Sequence, residues 1–161
     1  MSLLWILIGI AAVLIFGTLL VSFICYRIAF YVPPRKEKNS DEIEIPEGKI
    51  YEPFRDSMVK WTKALRAMPY EEFSVHSFDG LTLRGKYYEY QKGAITEILF
   101  HGYRGNAERD LSGGIERCFS LGRNALIVDH RGSGTSDGRV ITFGIKEHID
   151  CLDWIKFATE Q

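Results

Sequence analysis

Hydrophobic and polar positions change rhythm several times along the chain, and each rhythm predicts a different element. From Ser2 to Tyr26 the stretch SLLWILIGIAAVLIFGTLLVSFICY carries no charged side chain, and about 20 apolar residues are enough to cross a bilayer as a helix. Val32 to Gly48 is rich in proline and charge and poor in large apolar residues, the composition of a linker. Phe54, Met58, Trp61, Leu65 and Met68 then recur at alternating spacings of four and three, with Arg55, Lys60, Lys63 and Arg66 off the stripe. That spacing predicts an amphipathic helix. It either lies on a membrane surface beside an anchor or buries its stripe on the domain that follows.

Beyond this helix the period shortens to two. Phe73 and Val75, then Leu81 and Leu83, alternate with polar residues on either side of Asp79-Gly80, a pair that tolerates positive φ and predicts a β-hairpin. Ile95 to Phe100 and Asn124 to Asp129 contain continuous apolar runs, as strands covered on both faces of a parallel sheet do. Between them Leu111, Ile115, Cys118 and Phe119 mark one helical face, ended by Gly122. Strand, helix and strand in this order predict a right-handed βαβ unit. Ile145, Ile149, Leu152, Ile155 and Ala158 give a last helix by spacing, with Thr142 as its N-cap. The predicted fold class is therefore α/β, with an N-terminal transmembrane helix, a β-hairpin and then βαβα.

Charge refines the picture at the N-terminus. Arg27, Arg35, Lys36 and Lys38 follow the apolar stretch and no Lys or Arg precedes it. A cleaved signal peptide needs a basic leader, a shorter apolar core and a small-residue cleavage site, so the expectation is a retained single-pass anchor. By the positive-inside rule the rest of the chain then lies on the cytoplasmic side of the cell membrane. A net charge of −1 with 46% hydrophobic residues excludes a disordered chain or a basic nucleic-acid binder. The three cysteines, Cys25, Cys118 and Cys151, are far apart and read as packing residues of a reducing compartment rather than a disulfide framework or a zinc site.

Several short motifs invite a chemical reading. Gly134 to Gly138, GTSDG, fits the G-x-S-x-G signature of a nucleophile elbow, which is a strained turn directly between a strand and a helix. Here HRGSGT separates Ser136 from the predicted strand and RVITFG separates Gly138 from the next helical pattern, so Ser136 is placed mid-loop. Gly132-Ser133-Gly134 with Gly138 imitates a dinucleotide fingerprint, but Asp129, His130 and Arg131 occupy the turn where its first glycine belongs. Ser57 to Lys60 fits S-x-x-K without its S-D-N and K-T-G companions. Glu147, His148 and Cys151 on the last helix read as an ordinary helix surface rather than a metal site, because no second cluster accompanies them. His101-Gly102-Tyr103-Arg104-Gly105-Asn106 directly follows a buried strand, where an H-G loop can aim a backbone N–H at an oxyanion; by itself the motif reads equally as a plain Gly-rich βα turn.

Taken in order, FDGLTLRGKYY, ILFHGYRGNAERD, NALIVDHRGSGTSDG and ITFGIKEHIDCLDWI resemble the N-terminal half of α/β-hydrolase-fold serine hydrolases, over about Glu72 to Gln161. The sequence looks most like the bacterial, membrane-anchored, serine aminopeptidase-like group. The resemblance implies an incomplete hydrolase sheet, divided as a transmembrane anchor over 1–31, a linker over 32–50, an amphipathic helix over 51–70 and a partial hydrolase domain over 71–161. It implies that Tyr103 supplies an oxyanion-hole N–H, with His101 and Gly102 shaping the loop. It also implies that the nucleophile, acid and histidine of the triad, in the order Ser, Asp or Glu, His, come after Gln161, so that this chain alone is inactive. Neither a cofactor nor a metal is implied. The expected partners are the membrane and, for the full-length family, a small-molecule or peptide-like substrate cleaved by acyl transfer at an ester, thioester or peptide-like bond. In the family sheet strand three pairs with strand five, which leaves Ile95 to Phe100 as an edge open to a partner strand. The competing expectation is a non-catalytic membrane-anchored module that uses that edge for binding.

Overall fold

The structure, a computed structural model, describes residues 2–33 and 42–160. Arg35, Lys36 and Lys38, which carry most of the charge asymmetry, and Gln161 lie outside the described residues. Helix α1, Ser2–Ala29, is exposed along almost its whole length. It is long and apolar enough to cross a membrane, a property that signal sequences share.

A 3-10 turn, Glu52–Phe54, leads into α2, Arg55–Ala67. Its stripe packs on the domain from Met58 onward: Leu65 is inside, Met58, Trp61 and Met68 are half-buried, and Trp61 lies so close to Gly113 that a Cβ there would meet its ring at 2.8 Å, while Phe54 at the head of the stripe is exposed. Of the two expected placements for this helix, packing on the following domain is the one observed. The polypeptide just before it is also held: Arg66 donates to the Glu42 carbonyl at 2.9 Å and Asn106 donates to the Glu44 carboxylate at 3.2 Å.

The sheet consists of β1, Glu71–His76, β2, Thr82–Tyr88, β3, Thr96–Phe100, and β4, Asn124–Val128, in the order β1-β2-β4-β3. β1 and β2 form the hairpin expected at Asp79-Gly80, with Gly80 at φ +85°. β2 joins β4 antiparallel, and β3 joins β4 parallel. Helix α3, Ala107–Ser120, supplies the crossover, and Gly122 ends it at φ +69°. Helix α4, Glu147–Glu160, follows the long loop after β4. This is the predicted α/β architecture. Every residue of β4 is buried, whereas every residue of β3 is half-buried, because β3 is an edge of the described sheet with β4 as its neighbour.

Alternation along β4 divides the core between the two faces. Ala125 and Ile127 pack with Leu65, Ile115 and Cys118 under α2 and α3, while Leu126 and Val128 pack with Val75, Leu83 and Trp154 under α4. The structure corrects one expectation here. Of the stripe Ile145, Ile149, Leu152, Ile155 and Ala158, whose spacing marks an apolar face to be buried, only Ile149 and Ala158 are half-buried and the other three are exposed, while α4 buries Glu147, Asp150 and Trp154. Trp154 fills the hollow above Gly85, where a Cβ would sit 3.0 Å from its ring, and Asp150 reaches a buried arginine. These two residues set the rotation of the helix. Thr142 caps the turn ahead of α4: its hydroxyl accepts the Lys146 N–H at 2.9 Å, and Glu147 folds back onto the Thr142 and Gly144 N–H groups at 2.7 and 2.8 Å. Cys118 is buried and Cys151 half-buried as expected for packing residues, whereas Cys25 is exposed on α1.

Candidate functional site

Parallel pairing of β3 with β4 brings the ends Phe100 and Val128 into register. The loops His101–Asn106 and Asp129–Gly138 therefore emerge side by side at the carboxyl end of the strands, where open α/β sheets bind ligands. Asp129 fastens them together, its carboxylate accepting the Ala107 N–H at the start of α3 and the Thr135 N–H of its own loop, both at 2.8 Å. Asn106 caps α3 by accepting the Arg109 N–H at 2.8 Å. Gly134 is required sterically, since at φ +47° a Cβ there would meet the Asp129 carboxylate at 1.8 Å, whereas one on Gly105 would meet the end of the Asp110 side chain.

His101 is buried and doubly engaged. Its Nε2 accepts the His130 N–H at 3.1 Å, which requires the proton on Nδ1, and Nδ1 then donates to the Gly102 carbonyl at 2.8 Å. The ring thus braces the loop as a neutral imidazole. It also lies edge-on to His130, with centroids 4.7 Å apart. Burial first, and then His101, push the His130 imidazole below its ordinary value. Gly102 opens a turn closed by the Gly105 N–H on the Gly102 carbonyl at 3.1 Å. Tyr103 and Arg104 form its corner, with Arg104 at φ +54°. No hydrogen bond among the described residues engages the Tyr103 N–H.

A cleft of about 430 Å³ lies beside this turn, with His101, Tyr103, His130, Phe143, His148 and Cys151 in its walls. Cys151 is poorly suited to nucleophilic attack there: burial, followed by the charges of Asp150 and Glu147, pushes its thiol up, toward the protonated form. Glu147 is occupied by the Thr142 and Gly144 bonds, which outweigh the effect of its burial and hold it below its ordinary value. His148 Nδ1 lies 2.9 Å from the Gly144 carbonyl. Ser136 lies in the loop well past β4, where its hydroxyl donates to the Asp129 carbonyl at 2.6 Å and accepts the Arg84 N–H at 2.8 Å.

Inspection of the sequence did not single out the charged network behind this loop. Arg131 is buried and holds Asp150 of α4 through two bonds of 2.7 Å, while also donating to Asp79 of the hairpin turn at 2.9 and 3.2 Å. Lys146 adds a bond to Asp79 at 2.8 Å. Together Arg131, then Lys146, hold the Asp79 carboxyl well below the usual range. The D-x-R-G sequence at Asp129 was the available signal, because its two charged residues directly follow the end of a buried strand, where a charge taken out of water needs a partner.

A mixed sheet of order β1-β2-β4-β3 is flanked by helices on both faces and carries the H-G and D-x-R-G loops side by side at its carboxyl end, an α/β fold that covers part of the hydrolase fold of the solved structures it resembles. No protein-family model and no curated protein matches the sequence. Solved structures do. An esterase of Pyrococcus furiosus superposes with a TM-score of 0.56 at 24% identity, over 82% of this chain and 43% of the esterase. A second crystal form of that esterase gives 0.54 at 20% identity, over 74% and 42%. DcsB in complex with its substrate analogue gives 0.52 at 23% identity, over 58% and 32%. This chain thus spans less than half the length of these neighbours, and the likeness is one of fold.

Proposed function

We propose that this chain is the N-terminal part of a membrane-anchored α/β hydrolase of the bacterial serine aminopeptidase-like group, contributing the oxyanion side of an acyl-transfer site. The unengaged N–H of Tyr103, in a turn braced by His101 and Gly102 beside a cleft, is the observation that carries this reading. An oxyanion donor must be free and rigid before charge develops. Among the described residues no serine or cysteine is hydrogen-bonded to a histidine ring, and this reading assigns the nucleophile, acid and general base to polypeptide outside residues 1–161. The substrate class is an ester, thioester or peptide-like bond. Helix α1 is retained as the anchor, with the domain on the cytoplasmic side.

A second reading rests on the edge strand β3. Thr96–Phe100 lies at the rim of the described sheet, and an open edge accepts a partner strand. The experiment that separates the two is the intact mass of the native membrane-bound product, captured with an antibody to the hairpin Phe73 to Tyr90, followed by a fluorophosphonate label for activated serines. The hydrolase reading expects a product roughly twice as heavy, a routine size for a single hydrolase domain, that takes the label outside residues 1–161. An unlabelled product near 18.4 kDa that retains a bound protein would replace it with the interaction module.

A further inference from the structure

The end of α1 is bonded to the loops of the candidate site. The Tyr103 hydroxyl donates to the Ala29 carbonyl at 2.7 Å, and the Arg104 guanidinium donates to the carbonyls of Ile28 and Tyr31. Last-turn helix carbonyls lack partners of their own and favour a cation. The chain leaving the helix pairs with the loop after β4: Val32 N–H donates to the Arg139 carbonyl, and Ile141 N–H to the Phe30 carbonyl, each at 2.8 Å. Helix and domain are thus fixed to one another at two loops.

The same two loops hold both of the non-glycine residues with positive φ among the described residues, Arg104 at +54° and Phe143 at +50°. A left-handed backbone is costly for a bulky side chain and marks places where its direction matters. Here it sets the Phe143 ring against Phe30, with centroids 5.2 Å apart, and against Tyr103 at 4.9 Å. The helix contributes Tyr26, stacked on Phe30, and Arg27, whose guanidinium lies 3.7 Å from the centre of the Tyr31 ring. Despite these contacts Tyr103 is 50% exposed and Phe143 58%, and Ile145 in the following turn is 73% exposed. Aromatic rings with arginines at the end of an apolar helix have the composition of a membrane-interface belt. Arg27 is the first charge after the apolar run, and Phe30 lies about 4.5 Å further along the axis at 1.5 Å per residue. Phe143, in contact with Phe30, therefore lies within about one helical turn of the first charge after the apolar run, at the level of the headgroup region where aromatic belts sit.

We infer that Tyr103, Phe143 and Ile145 form a second membrane contact, inserted in the headgroup boundary beside α1. Because Tyr103 and Phe143 are also walls of the cleft, its rim lies at the lipid surface. This inference rests on the reading of α1 as a retained membrane span, and the test keeps the two apart.

The test uses the full chain in phosphatidylcholine vesicles whose acyl chains are brominated near the carbonyl end, with tryptophan quenching as the readout. Native Trp5 in α1 reports insertion of the anchor as the quenching that disappears in Trp5→Phe, Trp61 and Trp154 being common to both chains. In that Trp5→Phe background, the quenching that Phe143→Trp adds is expected to equal the quenching that Tyr26→Trp adds, and Tyr90→Trp, just past the end of β2, to add none. If Trp5 is quenched and Phe143→Trp behaves like Tyr90→Trp, the anchor stands and the second contact is overturned. A blue-shifted but unquenched Phe143→Trp likewise overturns it, since protein rather than lipid then covers the residue. Absence of Trp5 quenching removes the anchor, and the contact with it.

Discussion

Arg131 and Asp150 form a two-bond ion pair, each bond 2.7 Å long, between side chains only 3% and 2% exposed. The pair joins the loop after β4 to α4, and through Asp79 it reaches the β1–β2 turn. Removing one partner strands a charge in the interior, which typically costs about 3–5 kcal/mol. Arg131→Met is expected to destabilise by that order in urea unfolding of the detergent-solubilised chain, followed by far-UV circular dichroism. The double variant Arg131→Met with Asp150→Leu should recover much of the loss, because a matched apolar pair leaves no unpaired charge. Equal loss in the single and double variants would show that the pair is not the source.

Ser136 has a structural task. Its hydroxyl joins the Asp129 carbonyl to the Arg84 N–H, and leaving such buried groups unsatisfied costs about 1–3 kcal/mol. Ser136→Ala should therefore lower stability, while any fluorophosphonate labelling of the native hydrolase persists. Loss of labelling without loss of folding would instead make Ser136 the nucleophile.

Gly134→Ala should be among the most damaging small changes. The added carbon would sit 1.8 Å from the Asp129 carboxylate, at a backbone φ of +47°. Asp129 would have to leave the Ala107 N–H, and strain of this kind costs about 1–3 kcal/mol before that bond is counted. Thermal unfolding is the measurement, with Gly93→Ala as the comparison, since Gly93 also has positive φ but open space around it.

Acid should destabilise the chain in two windows. The folded protein resists protonation of His130, held low by burial and then by His101, while the unfolded chain accepts a proton near its ordinary value of 6.5. Above that pH His130 adds no pH dependence; stability falls as pH drops through it and levels off below the lowered folded value. Asp79, held down by Arg131 and then Lys146, and Glu97, held down by Arg123 and then Arg117, act at lower pH. Their contribution is full above the ordinary carboxylate range and is lost as pH falls through their lowered folded values. His130→Gln should flatten the upper window of a urea midpoint against pH and leave the lower one in place.

The α2–α3 contact depends on an absent side chain. Trp61 lies over Gly113, so Gly113→Val should displace the ring and loosen α2, costing about 1–3 kcal/mol as overpacking does. Faster hydrogen exchange confined to α2 and α3 is the expected signature.

Elements with a dominant local pattern were legible from the sequence. The uninterrupted run of α1, the hairpin around Asp79-Gly80, the apolar runs of β3 and β4 and the Gly122 stop of α3 all depend on neighbours within a few residues. So did the place of Ser136 away from a strand-to-helix turn. What depended on distant partners was settled only in three dimensions. Leu152 and Ile155 of α4 face outward because Arg131, nineteen residues before Asp150, and the hollow above Gly85 fix the rotation of the helix more firmly than average hydrophobicity does. The stripe of α2 was readable, yet its choice between membrane and domain was not, since Gly113 had first to be brought beneath Trp61. Tyr103 was placed on its loop by motif, while its bond to Ala29, seventy-four residues earlier in the chain, follows from tertiary closure alone. Local periodicity determines which residues form a helix or a strand; the directional pairing of buried charges, and the shape left by glycines, decide which face turns inward.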